Sequence, residues 1–322
     1  MRTAKKIGKT VKSNMNFFFI SPIGVTTPSL YNTFEKPFSD NGHRIVNSVG
    51  EADVVFFDLH SRIHGYDLGL CSEVLRQRKP VVIFDATDYG AMSKEVWVGR
   101  DNWTGLLQYN NQDWAKFLHG CVVLGLTMVY FMRKMNKTLQ YPDFVHPLEL
   151  IAYPDHEFEV TTKDELFERP YDICFIGNTS PTRANLVIGL LKYKTFTIDC
   201  EFISGERIPH NEWLNRHRQA KLFIECCGGG FGSERIFQLH YIAGQLRNKS
   251  NMLRLNDFTD EVNCLEVSEI PTDKEVEKLL LYLNNKDKLY DLYLNGISHI
   301  KQYFNAEQRA IYVLGVIKNI LS

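Results

Sequence analysis

The sequence predicts an α/β protein made of two Rossmann-like domains and a helical C-terminal tail. Three observations point there. Short apolar runs alternate with helix-period stretches from Asn16 to about Phe131, the pattern of βα units around a mainly parallel sheet. A proline-punctuated stretch then breaks the pattern, and the same alternation restarts at Tyr171. The length of 322 residues suits two domains, and a 44% hydrophobic content with 21 Phe and 15 Tyr is enough to fill two cores.

Residues 1–15 form a basic tail, Met1-Arg-Thr-Ala-Lys-Lys-Ile-Gly-Lys-Thr-Val-Lys, with no apolar segment of a secretion signal behind it. It reads as solvated; contact with an anionic membrane or nucleic acid is the competing reading. The first domain, 16–140, has candidate strands at Asn16–Ile20, Arg44–Asn47, Asp53–Asp58, Pro80–Asp85 and Val122–Tyr130. Between them, Leu30, Phe34 and Phe38 at spacing four, then Leu68–Arg78 and Asp113–Leu118, can each present one apolar helical face. Residues 141–170, with four prolines and no periodicity, read as a linker.

The second domain, 171–300, is expected to run strand Tyr171–Gly177, helix Pro181–Lys192, strand Phe196–Ile203, helix Pro209–Ala220 and strand Lys221–Cys226. A glycine-rich turn, a helix Ser233–Leu246 and a strand near Met252–Leu255 follow. From Asp273 the chain is helical by period, and 301–322 is a C-terminal helix.

Composition narrows the function. With 37 Lys+Arg against 38 Asp+Glu the net charge is −1, which removes the simplest argument for a nucleic-acid binder. Plentiful aromatics exclude a largely disordered or collagen-like chain. The most apolar window, Cys121 to Met132, falls well short of the ~20 residues that span a bilayer, so no transmembrane segment is expected. Seven cysteines without a CxxC pair read as a reduced, cytoplasmic protein.

Two loops could hold a phosphate. In Lys221-Leu-Phe-Ile-Glu-Cys-Cys-Gly-Gly-Gly-Phe-Gly-Ser-Glu-Arg, a strand runs into Gly228, Gly229, Gly230 and Gly232, and a helix starts near Ser233. Glycines allow close backbone approach, and unpaired N–H groups at a helix start suit a pyrophosphate. Ser233 is the candidate N-cap, Glu234 suits the first turn, and Arg235 follows. In Tyr171-Asp-Ile-Cys-Phe-Ile-Gly-Asn-Thr-Ser-Pro-Thr-Arg, the strand ends at Gly177, then come Asn178 and Thr179. Ser180 caps a helix beginning at Pro181, which sets Arg183 in the first turn, where bidentate phosphate contact is its obvious use. Each has a structural alternative: a turn tight only for packing, a surface Arg183, an Arg235 paired with an acidic neighbour. The glycine-rich loop matches neither a P-loop nor the dinucleotide fingerprint.

These loops, in this order, resemble the GT-B glycosyltransferases, and most closely the family 1 type related to spore-maturation CgeB proteins. In that group a strand like Phe175-Ile-Gly-Asn-Thr-Ser-Pro-Thr-Arg opens the C-terminal domain, and a later glycine turn leads into an R-x-F-E helix ending in Ala-Gly. Here the latter reads Arg235-Ile-Phe-Gln and closes at Ala243-Gly244; Val129–Met135 and Tyr141–Leu148 also look like that group's crossing between domains. The likeness covers residues 120 to 250. One departure is Gln238, where the group has a Glu presumed to hold the donor ribose; an amide can still bond hydroxyls, without the strength of a carboxylate.

The resemblance implies transfer of a sugar from a nucleotide-diphosphate donor held by the C-terminal half, at Gly177 to Ser180, Arg183, Gly230, Phe231, Gly232, Ser233, Glu234, Arg235 and Gln238, to an acceptor held by the N-terminal half. It implies no obligatory cofactor, the nucleotide sugar being a co-substrate, and helix N-termini and basic groups in place of a metal. A base for an inverting reaction is expected at the strand ends of the first domain: Asp58, His60, Asp85 or Asp88. Asp at a strand end also caps turns, which is the competing reading of each. His60 and His64 have zinc-like spacing but no third ligand nearby, so no metal site is assigned. Glu225 is either an electrostatic partner in a retaining reaction or a plain strand-end residue. The acceptor stays open between a glycan and a hydroxylated base in viral DNA, and oligomeric state is open too. The rival functions are a non-catalytic two-domain small-molecule binder and another α/β sugar-nucleotide enzyme.

Overall fold

The structure is a computed structural model that describes residues 14–21, 31–59, 67–85, 112–132, 135–138, 140–148, 158–206, 208–226, 235–249, 252–253 and 255–321. It comprises two compact units, Met1–Glu149 with Ala306–Ser322, and Leu150–Asn305.

The first unit is built on a six-stranded parallel sheet. Its strands are β1 (Asn16–Ile20), β2 (Arg44–Ile45), β3 (Val54–Leu59), β4 (Val81–Asp85), β5 (Met128–Met132) and β6 (Val145–Pro147), in the order β2-β1-β3-β4-β5-β6. Every residue of β4 and β5 is buried, as expected of central parallel strands covered on both faces. A π-type turn at Tyr31–Glu35 and helix α1 (Lys36–Asp40) bring Phe34 and Phe38 against Phe17, Phe56 and Phe84, fulfilling the spacing-four reading. Leu30 lies outside the described residues. Helix α2 (Leu68–Gln77) is capped by Asp67, whose carboxylate accepts from the N–H groups of Gly69 and Leu70.

Two expectations need correction here. The run Val122–Tyr130 is not one strand: helix α3 (Gln112–Val123) ends in it, Gly125 turns at φ +61°, and β5 begins at Met128. The N–H groups of Gly125 and Leu126 bond to the carbonyls of Val122 and Cys121, closing the helix in the way a left-handed glycine permits. The stretch 141–170 is not all connector either. Val145–Pro147 pairs with β5 as the last strand of the first sheet, and Lys163–Phe167 forms α4 behind a Thr162/Glu165 capping box.

The second unit carries a five-stranded parallel sheet. It contains β7 (Tyr171–Asn178), α5 (Pro181–Leu191), β8 (Ile198–Ile203), α6 (His210–His217), β9 (Ala220–Glu225), α7 (Arg235–His240), β10 (Gly244–Asn248) and β11 (Leu265–Val267), with sheet order β11-β10-β9-β7-β8. The expected helix Ser233–Leu246 is shorter than its sequence suggested, because α7 stops at His240 and β10 takes over at Gly244. Pattern reading missed β10 because this buried strand holds Gln245, Arg247 and Asn248. Long-range partners make that tenable: Arg247 bonds Glu266, Asp257 and the Phe258 carbonyl. Gly244 is there for packing, since a Cβ would lie 2.9 Å from Leu222 Cδ2.

The helical tail consists of α8 (Asp273–Leu283), α9 (Lys286–Tyr303) and α10 (Ala306–Leu321). Leu279, Leu283, Leu289, Leu292 and Tyr293 bury in the second unit's core. Helix α10 instead packs Val313, Leu314 and Ile317 onto the phenylalanine core of the first unit. No described helix is long and apolar enough to cross a membrane.

Candidate functional site

Counted along the chain, both sheets share the order 2-1-3-4-5, the first with a sixth strand added. In such sheets connections diverge to opposite sides next to the first strand, which leaves a crevice at the carboxyl ends of strands one and three, where ligands bind. In the second unit those strands are β7 and β9. The two loops singled out by sequence leave these two strands.

After β7 the local chemistry is fully on display. Asn178 is the last strand residue, paired with Ile203, and Asn178 and Thr179 are exposed. Ser180 sits in extended backbone as the N-cap of α5; its Oγ accepts from the Arg183 N–H at 3.4 Å, and Pro181 occupies the first turn. Arg183 is half-buried, and its Nη1 donates to the Asn178 carbonyl at 2.9 Å, so the guanidinium lies over the loop. Gly177, Asn178, Thr179, Ser180 and Arg183 thus form one short loop and helix start.

After β9 the chain passes Glu225 and Cys226, both buried, into residues 227–234, outside the described residues with the candidates Gly230, Phe231, Gly232, Ser233 and Glu234. Arg235 opens α7. Gln238, on α7, is buried, and its Oε1 has no hydrogen-bond partner among the described residues. The Glu225 carboxylate accepts from Nε2 of Gln245 on β10. Sequence reasoning passed over Gln245, and also Trp213, whose Nε1 donates to the Ile176 carbonyl at 3.2 Å and ties α6 to the end of β7. His210 stacks on that indole. His217, behind it, is lowered to about 4 by burial, although its ring hydrogen bond to the Trp213 carbonyl opposes the shift.

In the first unit the strands at the divergence point are β1 and β3, with β4 beside β3. Asp58 belongs to β3, its backbone paired with Phe84. Asp85 ends β4; its carboxylate is 1% exposed and accepts from the Tyr130 hydroxyl at 2.7 Å. His60 and Asp88 lie outside the described residues. Among the described residues no group of three or more His, Cys, Asp or Glu could hold a metal ion.

Chemically, the β7 loop presents exposed polar groups, a capped helix start and one guanidinium at the ligand-binding edge of a parallel sheet. Such a set suits an anionic group. Solved structures that the chain resembles in fold include glycosyltransferases. The chain is similar to Anabaena Alr3699/HepE, crystallised with UDP (TM-score 0.54, 8% identity, covering 95% of this chain and 100% of that one). It is similar to an alpha-glucosyltransferase crystallised with UDP and a 13-mer DNA (0.52, 9%, 95% and 100%) and to an alpha1,3-fucosyltransferase (0.50, 11%, 99% and 93%). The fold is therefore GT-B, two Rossmann-like domains with a helical C-terminal tail. No protein-family model and no curated protein matches the sequence.

Proposed function

We propose that this protein is a glycosyltransferase that moves a sugar from a nucleotide-diphosphate donor to an acceptor hydroxyl by a metal-independent mechanism. The observation that carries the reading is the coincidence of the β7 and β9 loops with the divergence point of the second sheet. Support comes from the shared fold: the neighbours were crystallised with UDP or UDP-glucose.

In this reading the N–H groups at the start of α5 and the Arg183 guanidinium stabilise the charge that grows on the departing diphosphate, as preorganised donors do in a low-dielectric site. The glycine turn from Gly230 to Arg235 completes the phosphate site, and Gln238 bonds the donor ribose with its unpartnered amide oxygen. The first unit binds the acceptor and supplies the base from among Asp58, His60, Asp85 and Asp88. A cytoplasmic site of action is part of this reading, in line with seven cysteines without a CxxC pair.

Calorimetric titration with UDP and GDP tests the donor site; binding of neither nucleotide overturns the proposal. The acceptor class is tested with UDP-glucose and two acceptors, an oligosaccharide and a duplex containing hydroxymethyluracil, a base present in the DNA of one alpha-glucosyltransferase complex. A DNA acceptor makes the rate fall steeply with added salt, because counterions released on binding compete for the phosphates. A glycan acceptor leaves the rate flat.

A further inference from the structure

At the amino edge of the second sheet lies a cavity of about 430 Å³. It forms where Arg169 and Pro170 lead into β7 and Arg218 and Gln219 lead into β9, with Thr161 and the end of α4 beside them. The Tyr171 N–H donates to the Gln219 carbonyl at 3.1 Å, which joins the two strand starts. The eight residues of β7 separate this edge from the β7 loop by roughly 25 Å. Two guanidiniums line the cavity, and among the described residues neither is paired with a carboxylate. Half-buried Arg169 donates from Nη1 to the carbonyls of Ala220 at 2.8 Å and Ile242 at 2.7 Å, and from Nη2 to Thr161 Oγ1 at 3.1 Å. These bonds all go to neutral oxygens, which leaves Nε–H, one Nη2–H and the positive charge unanswered. Burial strips water from this guanidinium and pulls its pKa down to about 10; Tyr293 and Glu165 oppose the shift, and the nearby charge of Arg218 adds to it. Arg218, more exposed, lies over the Phe158 ring at 5.3 Å and uses only an Nη1–H, on Asn215 Oδ1 at 3.1 Å. The carboxylates at the cavity do not neutralise the pair. Glu165 Oε2 accepts from the N–H and the hydroxyl of Thr162 in the capping box of α4. Glu168 is exposed, and among the described residues its side chain forms no hydrogen bond or ion pair.

We infer that this cavity is a second ligand site, for the phosphate monoester of a small polyhydroxylated compound such as a sugar phosphate. A phosphate dianion offers the oxygens and the charge that match the unused donors of both Arg169 and Arg218, where a single carboxylate would satisfy one fork only. Leaving a guanidinium half-buried without a counterion is unfavourable, and an anion hydrogen-bonded to it removes that cost. Glu168 and Gln219 call for the hydroxyls. A bare phosphate meets the Glu168 carboxylate as a like charge, whereas a sugar carries O–H groups that can donate to it and bond the Gln219 amide. A volume of about 430 Å³ lies within the ~300–1,000 Å³ typical of small-molecule pockets. No residue of this cavity belongs to the proposed donor or acceptor sites, so its role does not depend on the transferase reading.

Titration calorimetry of the full chain tests it, with glucose 1-phosphate, glucose 6-phosphate and ribose 5-phosphate as probes and with glucose and inorganic phosphate as controls. At least one monoester should bind ~5-fold or more tightly than inorganic phosphate, the scale of one added hydrogen bond, and glucose should give no binding heat. Arg218→Ala, a change at an exposed side chain, should weaken the monoester ~10-fold or more, as expected of a lost charge-assisted bond. Arg169→Lys, which keeps the charge and loses the planar fork, should weaken it too. The Tm of each variant verifies folding, and if Arg169→Lys fails to fold, Arg218→Ala carries the test. Arg183→Ala and an excess of UDP should leave monoester binding unchanged, which separates this cavity from the β7 loop. Failure of all three monoesters to bind, wild-type affinity in Arg218→Ala, a loss in Arg183→Ala, or displacement by UDP overturns the assignment. Inorganic phosphate that binds as tightly as the monoesters overturns it as well, since the hydroxyls would then contribute nothing.

Discussion

Replacing Arg183 with Ala removes the one guanidinium that the described residues place on the β7 loop. In the free protein its Nη1 already donates to the exposed carbonyl of Asn178 at 2.9 Å, so binding a diphosphate exchanges a neutral hydrogen bond for charge-assisted ones. A hydrogen bond to a charged group contributes ~1.5–3 kcal/mol and a neutral one about 1, which leaves a net gain of ~0.5–2 kcal/mol. That corresponds to a ~2- to 30-fold weaker Kd in the variant. Titration calorimetry against UDP, GDP and the matching nucleosides measures it, with Arg183→Lys as a check on charge without the planar fork. The loss should appear with the diphosphates and vanish with uridine and guanosine. Equal affinity of wild type and Arg183→Ala for the diphosphates would refute the phosphate assignment, and an equal loss for the nucleosides would show that the arginine only shapes the loop.

Ser180→Ala deletes the N-cap of α5; with the bond at 3.4 Å the expected loss is about 1 kcal/mol, or ~2–4 °C in Tm by calorimetry. Gln238→Met keeps the volume but removes the unpartnered amide oxygen, so UDP should bind ~2- to 10-fold more weakly while 2′,3′-dideoxy-UDP is unaffected in the same titration. Gly189→Ala would set a Cβ 2.7 Å from Pro271 Cδ on a stiff ring, and denaturant melts should show a loss of ~1–3 kcal/mol. His217, held near 4 against an ordinary 6.5, takes up a proton in the unfolded chain before it does in the folded one. Stability is therefore intact above pH 6.5 and falls by up to ~3 kcal/mol as pH drops towards 4, a slope that urea melts should find flattened in His217→Gln.

The parts of this fold legible in the sequence are those where hydrophobicity and backbone geometry agree. Strands β1, β3, β4 and β7 are apolar runs bounded by turn residues, and Ser180-Pro181 announces the start of α5 by a cap and a first-turn proline. Legibility fails where one signal hides another. Between Cys121 and Met132 uniform apolarity masks the helix end, and only Gly125 marks it. In β10 the apolar signal is missing because Gln245 and Arg247 find partners on β9 and beyond β10, which no local pattern encodes. The site follows the same division. Gly177 to Arg183 is contiguous and could be read directly, whereas the bond from Tyr130 to Asp85 spans 45 residues. It exists only because β5 pairs with β4 in that register.

The near-neutral composition takes on a different meaning once charges are placed. Several of the cations are occupied structurally: Arg247 by Asp257 and Glu266, Arg169 by the carbonyls of Ala220 and Ile242, Arg216 by Asp199 and Glu201. These cations are already paired with carboxylates or carbonyls of the second unit, and in Arg247 and Arg216, where the partners are carboxylates, the charge is largely spent within the fold. Among the described residues the β7 loop offers mostly backbone, the helix start behind Ser180, with Arg183 as its single formal charge. A diphosphate bound by oriented N–H groups requires no excess of Lys and Arg, because the dipoles are fixed by the fold and cost nothing to reorganise. Charge counting therefore bears on an acceptor that must be gripped by its phosphates, and hardly at all on a donor gripped by the geometry of a strand-to-helix turn.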